Sequence, residues 1–346
     1  MGTALVTGCP GWVGNRLLRH LRDPHPDNPG GAPDFDRIRV LVLPGTPHDE
    51  LTRIAPDLEV VEGDVRDREA VRRFCRDVEG AVLFHVAGVM RPRRLRDFHD
   101  VNVGGTRNVL ACAISAGVRR VVAVSSASTV ERARAQPVVE TTPYRPDDGY
   151  GRSKVLLEAA VRAAEAQHGL EAVIVRPVQI YGPEGPARQA EFLRFVRRGW
   201  YPAIGDGNAL RSMCYVDSVV LGLLLAAAVP AAAGQTYFVA DERQYTLDEY
   251  LRTTEDVLEH DFHLSVARRR LRLPRQVGDG LYLLGAALEG VGLYEKRLHT
   301  LGHWTPRATY SSAKARDELG FRPSMTLREG LRRSVEWLLA HGGQRI

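Results

Sequence analysis

Tyr150 and Lys154 are the ends of Tyr150-Gly151-Arg152-Ser153-Lys154, a spacing that puts both side chains on one face of a helix. A phenol with a pKa of about 10 is a poor acid–base catalyst at neutral pH. An ammonium beside it favours the phenolate, so the pair predicts proton transfer to or from a substrate oxygen. So short a pattern arises often by chance, and its weight depends on its neighbours. Val121 to Val124 is an apolar run ending on Ser125 and Ser126, about one helical connection earlier. A hydroxyl at that strand end can hold the substrate oxygen beside the phenol. Ser126 is expected to take that part, and Ser125 to cap a turn.

The other group of residues able to do chemistry opens the chain. Thr7-Gly8-Cys9-Pro10-Gly11-Trp12-Val13-Gly14 follows an apolar run and precedes a helical pattern. Glycines in that setting allow a tight turn, close approach of backbone to a pyrophosphate, and close packing of helix on sheet. Backbone N–H groups at the helix start would hold the phosphates, and Lys154 could then reach the nicotinamide ribose. In Gly63-Asp64-Val65, Asp64 is placed to accept from an adenine amino group; an acid there is also a common helix cap. The second strand ends in Leu43-Pro44-Gly45, which supplies neither an acid for a ribose 2′-hydroxyl nor an arginine for a 2′-phosphate. Arg53 and His48 are the nearest candidates for a phosphate, and the choice between NAD and NADP stays open.

Elements that would position these groups follow from the apolar pattern. Ala4-Leu5-Val6, Arg39 to Leu43, Glu59-Val60-Val61, Ala81 to Phe84, Val121 to Val124 and Ala172 to Val175 read as strands. Val13 to Leu21, Arg68 to Cys75, Gly105 to Ala116 and Tyr150 to Gln167 read as helices between them. Such alternation predicts an α/β fold, a doubly wound parallel (Rossmann) sheet covered on both faces. Its ligand would lie outside the carboxyl ends of the strands. Asp23 to Asp36, with four prolines and two adjacent glycines, is expected to be an exposed loop. After Pro177 the alternation fades, yet Gln235 to Ala240 looks like another core strand. A smaller, discontinuous C-terminal substrate lobe is therefore expected. Residues 1–178 and about 212–240 would form the core, and residues 179–211 and 241–346 the lobe.

The 346 residues, 44% hydrophobic and 26% charged, suit a globular chain. No apolar run reaches the roughly 18–20 residues of a membrane span; Val216 to Ala233 comes nearest and reads as a buried helix. The first residues lack the basic segment of a signal peptide. Cys9, Cys75, Cys112 and Cys214 are far apart in sequence, which suits reduced thiols in a cytoplasmic protein and predicts no metal site. The net charge of +5 is carried almost wholly by arginine. Without stacking aromatics among the arginine runs, no nucleic-acid partner is expected.

Taken together, T-G-x-x-G-x-x-G, the serine-ended strand and Y-x-x-x-K resemble the extended short-chain dehydrogenase/reductase superfamily. Further matches run almost the whole length: His85-Val86-Ala87-Gly88, Asn102-Val103-Gly104-Gly105-Thr106, Arg176-Pro177-Val178-Gln179-Ile180-Tyr181-Gly182-Pro183, and Gly205 through Arg211 to Asp217. The resemblance implies that Ser126, Tyr150, Lys154 and Asn102 are catalytic, with Asn102 supporting the geometry and a proton relay. It implies that Gly8, Cys9, Pro10, Gly11, Trp12, Val13, Gly14, Leu43, Asp64, Val65, Val86, Ala87, Gly88, Lys154, Pro177 and Ile180 hold the dinucleotide. Substrate contacts are expected from Met90, Ser126, Tyr144, Gln179, Arg211, Tyr215 and Tyr282.

Within the superfamily, Ala127-Ser128-Thr129 stand where dehydratases carry acids, and Gln179 stands where nucleotide-sugar enzymes usually carry asparagine. The C-terminal part is similar to 3β-hydroxysteroid and sterol dehydrogenase-like members, and the Ser-Ser-Ala start to dihydroflavonol reductase-like ones. This implies NAD(P)(H)-dependent interconversion of a secondary alcohol and a ketone on a small hydrophobic substrate, and a homodimer. Gly280 to Leu288, apolar nearly all round, is expected to be core or a lid rather than a membrane contact. A nucleotide-sugar epimerase and a non-catalytic dinucleotide sensor remain the alternatives.

Overall fold

Short runs of Val, Leu, Ile and Ala, apolar on both faces, suit strands buried between two helical layers. The computed structural model describes residues 2–23, 25–27, 35–92, 94–131, 136–290 and 308–342. The first half contains β1 (Thr3–Thr7), α1 (Trp12–Arg22), β2 (Arg37–Val42), α2 (Asp49–Ile54), β3 (Glu59–Glu62), α3 (Arg68–Phe74) and β4 (Val82–His85). There follow α4 (Arg96–His99), α5 (Thr106–Ser115), β5 (Arg120–Val124), α6 (Gly149–His168), β6 (Glu171–Pro177), β7 (Gln179–Tyr181) and α7 (Ala187–Arg197). Beyond these come β8 (Pro202–Ile204), β9 (Leu210–Arg211), β10 (Met213–Tyr215), α8 (Val216–Ala228), β11 (Thr236–Val239), β12 (Tyr245–Thr246) and α9 (Leu247–Asp256). Last are β13 (Leu271–Leu273), α10 (Arg275–Gly290), α11 (Ala313–Leu319) and α12 (Leu327–Gly342).

Seven strands form one sheet in the order β11-β6-β5-β4-β1-β2-β3, with every neighbouring pair parallel. The order reverses beside β1, whose neighbours are β2 and β4. That switch point opens a crevice at the carboxyl ends of the strands, where the glycine loop and Val86 to Gly88 emerge.

Strand alternation sorts the core onto two faces. Ala4, Val6, Phe84, Val122, Val173 and Val175 pack with Leu17 and Leu18 of α1 and Val219, Val220 and Leu223 of α8. Leu5, Leu83, Val121, Ala123 and Ile174 pack with Phe74 of α3, Val109 of α5, and Leu157 and Val161 of α6. Each such fully buried side chain stabilises the fold by roughly 1.5–3 kcal/mol. A third cluster, around Tyr181, Leu193, Tyr215, Tyr250, Val257 and Leu331, lies among the later elements.

Two expectations change. The Asp23–Asp36 segment is anchored where it is described: Phe35 is buried in the core, and buried His25 meets the Asp217 carbonyl through Nε2 at 2.8 Å. Residues 280–288 do fall in a helix, α10, but Leu283 is 63% and Leu284 50% exposed, so the segment is not core. By contrast α8 is buried from Val216 to Leu224. No helix among the described residues is long and apolar enough to cross a membrane.

Candidate active site

A cavity of about 930 Å³ occupies the switch-point crevice and continues toward α7 and α9. One end is walled by Gly8 to Gly14, Leu43, Asp64, Val65, and Val86 to Gly88. Gly8 has φ of +92°, and a Cβ there would lie 2.7 Å from the Ala87 nitrogen. At Gly14 a Cβ would meet the Gly8 oxygen at 2.4 Å. Backbone thus lies against backbone, leaving no room for a side chain at either glycine. Helix α1 begins at an N-cap, Gly11, that has no capping side chain, and no acid stands in its first turn. First-turn N–H groups left in this way suit a phosphate, so the loop fits the pyrophosphate of a dinucleotide.

Side-chain bonds fix this loop to the far wall. Trp12 Nε1 donates to the Pro183 carbonyl at 2.6 Å, and Arg16 forks onto both Asp217 oxygens at 2.7 Å while also reaching Glu184 at 2.9 Å. The glycine loop, the turn after β7 and the start of α8 are therefore tied to one another. The Cys9 thiol, pushed up to about 12 by burial, is unreactive wall.

Tyr150 and Lys154 lie in the first two turns of α6, whose N-cap Asp148 accepts from the Gly151 nitrogen at 2.7 Å. Both line the cavity together with Ser125 and Ser126. Burial pushes the Tyr150 phenol up to about 12; a hydrogen bond with Ser126 and the Arg188 guanidinium act the other way, and Asp148 adds to the rise. Burial brings the Lys154 ammonium down to about 8, partly offset by Glu158. Lys154 Nζ donates to the Val124 carbonyl at 2.8 Å and stands 5.8 Å from the Tyr150 ring centroid. Ser126 and Arg188 thus favour the phenolate, and Lys154 stands on the same helical face as the phenol.

Ser126, in hydrogen-bond contact with Tyr150, also makes the turn cap expected of Ser125. Ser126 Oγ accepts from the Ser128 nitrogen at 3.2 Å and so caps the turn itself. Ser125 Oγ, buried, donates to Glu158 Oε1 at 2.5 Å. Asn102 is fully buried behind the cavity wall. It accepts from the Val89 nitrogen at 2.8 Å and donates to the Val89 carbonyl and Ser153 Oγ, both at 2.9 Å. It is a positioning residue, tying the loop after β4 to α6. His85, also buried, bridges Thr7 and Thr106 and is pushed down to about 3 by burial and Lys154, so it stays neutral.

Every residue expected at the dinucleotide lines this cavity, including Pro177 and Ile180. Asp64 does so while holding Arg66 in a fork at 2.7 and 3.0 Å, and the cap of α3 is Asp67 instead. Of the expected substrate residues, Met90, Ser126, Gln179 and Arg211 line it. Tyr144 does not: its hydroxyl donates to Glu158 Oε2 at 2.7 Å, behind the catalytic helix. Nor does Tyr215, which packs edge-on against Tyr181 in the third core cluster. The Tyr282 side chain lies outside the described residues. Sequence reasoning missed Arg91, Arg188, Phe192, Phe195, Tyr201 and Tyr250, all on the wall. The available signal was the spacing of Arg188, Phe192 and Phe195, which puts them on one face of α7. Among the described residues, no cluster of three metal-ligating side chains occurs.

Fold and site together define an NAD-dependent class of oxidoreductase built on a doubly wound sheet. The family model for the NAD dependent epimerase/dehydratase family matches residues 4–240, and the chain belongs to that family. An uncharacterized protein of Sinorhizobium fredii (y4nL) is 40% identical over 98% of this chain and 95% of its own length. A 3 beta-hydroxysteroid dehydrogenase/Delta 5→4-isomerase of Mycobacterium tuberculosis is 29% identical over 96% of this chain and 89% of its own. Among solved structures, the dTDP-glucose 4,6-dehydratase DesIV of Streptomyces venezuelae, with NAD and TYD bound, superposes with a TM-score of 0.75. It is 26% identical, over 99% of this chain and 98% of that one.

Proposed function

We propose that this protein interconverts a secondary alcohol and a ketone on a substrate with a hydrophobic body, using a nicotinamide dinucleotide. One observation carries the reading: Ser126, Tyr150 and Lys154 face the same cavity as the uncapped glycine loop. The far end of that cavity is lined by Met90, Phe192, Phe195, Tyr201 and Tyr250, an apolar and aromatic wall. The dinucleotide, when bound, supplies or accepts the hydride. Gly8 to Gly14 would hold its phosphates and Lys154 its ribose. Ser126 holds the substrate oxygen, and Tyr150 gives that oxygen a proton on reduction or takes one on oxidation. Lys154 keeps positive charge beside the phenolate left after proton transfer.

The test is turnover followed by nicotinamide absorbance across steroid, β-keto acid, aromatic ketone and UDP-sugar panels, after any co-purified nucleotide has been identified. A net absorbance change with a hydrophobic ketone or alcohol, reduced by a factor on the order of 10²–10⁴ in Tyr150→Phe, is expected. Near-normal turnover by Tyr150→Phe sinks the assignment. Conversion of a UDP-sugar with no net absorbance change replaces it with epimerase chemistry.

A further inference from the structure

Helix α7 lines the cavity with Arg188, Gln189, Glu191, Phe192 and Phe195, of which Arg188, Phe192 and Phe195 share one helical face. Arg188 is half-buried, and among the described residues no hydrogen bond or ion pair joins it. By contrast, Arg16, Arg39, Arg120 and Arg176 are each held by a carboxylate and Arg66 is matched by Asp64. Glu191, one turn further along α7, is exposed and makes no ion pair with it. The charged groups that act on Arg188 are Arg91, which opposes its charge, and Tyr150, which favours it. Of the arginines that line the cavity, Arg188 and Arg91 therefore stand together near the candidate acid–base tyrosine. Burial also disfavours the Arg188 cation, and among the described residues no carboxylate offsets the cost of placing it there. The first turn of α7 contains no acid and adds its own partial positive charge.

We propose that the substrate carries an anionic group, a carboxylate or a phosphate, held by Arg188 with Arg91 next to the reacting carbon. The group would lie close to the hydroxyl or ketone, and the hydrophobic body would run along Phe192 and Phe195. Resting on the reading above, this narrows its substrate class to amphiphilic acids. The dinucleotide's own phosphates do not explain the pair, because the uncapped start of α1 serves them at the other end of the cavity.

Calorimetric titration of the full chain, saturated with dinucleotide, tests this with three probes: 3-oxododecanoate, its methyl ester and dodecyl phosphate. One of the two anions should bind about ten- to a hundredfold tighter than the ester, the range of a charge-assisted hydrogen bond. Which anion wins identifies the group. Arg188→Gln should abolish the preference, Arg188→Lys should restore part of it, and dinucleotide affinity and melting temperature should hold in both variants. Equal binding of ester and anions, no measurable binding of either anion, or a preference that survives Arg188→Gln overturns the proposal. Binding needs no turnover, so repeating the titration on Tyr150→Phe separates a failure here from a failure of the redox reading.

Discussion

Replacing Arg176 by methionine tests whether the catalytic helix is held by the network behind it. Glu158 is fully buried on α6, one helical turn beyond Lys154. Its carboxylate accepts four bonds: Arg176 Nε at 2.8 Å and Ser125 at 2.5 Å on Oε1, Arg176 Nη2 and Tyr144, both at 2.7 Å, on Oε2. Methionine keeps the volume but removes two donors and the only cation of the group. A buried carboxylate left with two hydroxyls costs about 3–5 kcal/mol. At 1.36 kcal/mol per decade that is roughly a hundred- to a thousandfold or more in the folding equilibrium. Removing both charges, as in Glu158→Leu with Arg176→Met, should cost clearly less than the single change. Urea unfolding followed by fluorescence and by circular dichroism gives both values if the two signals coincide. A loss below about 1 kcal/mol in Arg176→Met, the level of an exposed pair, would refute the claim that this pair is desolvated.

Three further outcomes follow from the same chemistry. With Lys154 down at about 8, its ammonium is present below that pH and lost above it. The kcat/KM of the free enzyme should fall on the alkaline side of pH 8, and Glu158→Gln should move that limb lower; a profile with no alkaline fall refutes it. Asp241 is pushed up to about 7 by burial, against bonds from the Tyr215 nitrogen and the Tyr181 and Tyr245 hydroxyls. The folded state then binds the extra proton between pH 3.8 and about 7, and that contribution is lost as pH rises through the window. The stability advantage of wild type over Asp241→Asn should accordingly shrink from pH 5 to pH 8, and chemical denaturation showing it constant or growing contradicts the burial argument. Gly14→Ala places a Cβ 2.4 Å from the Gly8 oxygen and 2.9 Å from Cys9 Sγ. Overpacking of about 1–3 kcal/mol should weaken dinucleotide binding by roughly ten- to a hundredfold in a fluorescence titration; unchanged affinity would mean the loop is not the phosphate site.

What was legible in the sequence is what local spacing encodes. The glycine loop needs only its own turn and the helix after it. Tyr150 and Lys154 need only α6, so their shared face followed from their numbers. Alternation of Leu5 with Ala4 and Val6 already announced a sheet covered on both sides. Placement that depends on which way a chain leaves a strand end was not legible. Tyr215 and Arg211 flank the same short stretch, yet Arg211 meets the cavity and Tyr215 turns into the Tyr181 cluster. Tyr144 lies near the catalytic segment in sequence, but Glu158 draws its hydroxyl behind the helix. Composition misled at Asp23–Asp36, where His25 and Phe35 are buried anchors that a proline- and glycine-rich stretch does not announce. Arg188 was overlooked for a different reason. Its chemistry becomes visible only beside its neighbours on the cavity wall: Arg66 is matched by Asp64 and Asp148 is occupied as a helix cap, whereas the charges that act on Arg188 are a phenol and a second guanidinium. Such a charge points toward the ligand, because a half-buried cation with no ion pair among the described residues is best satisfied by an anion that arrives with the substrate.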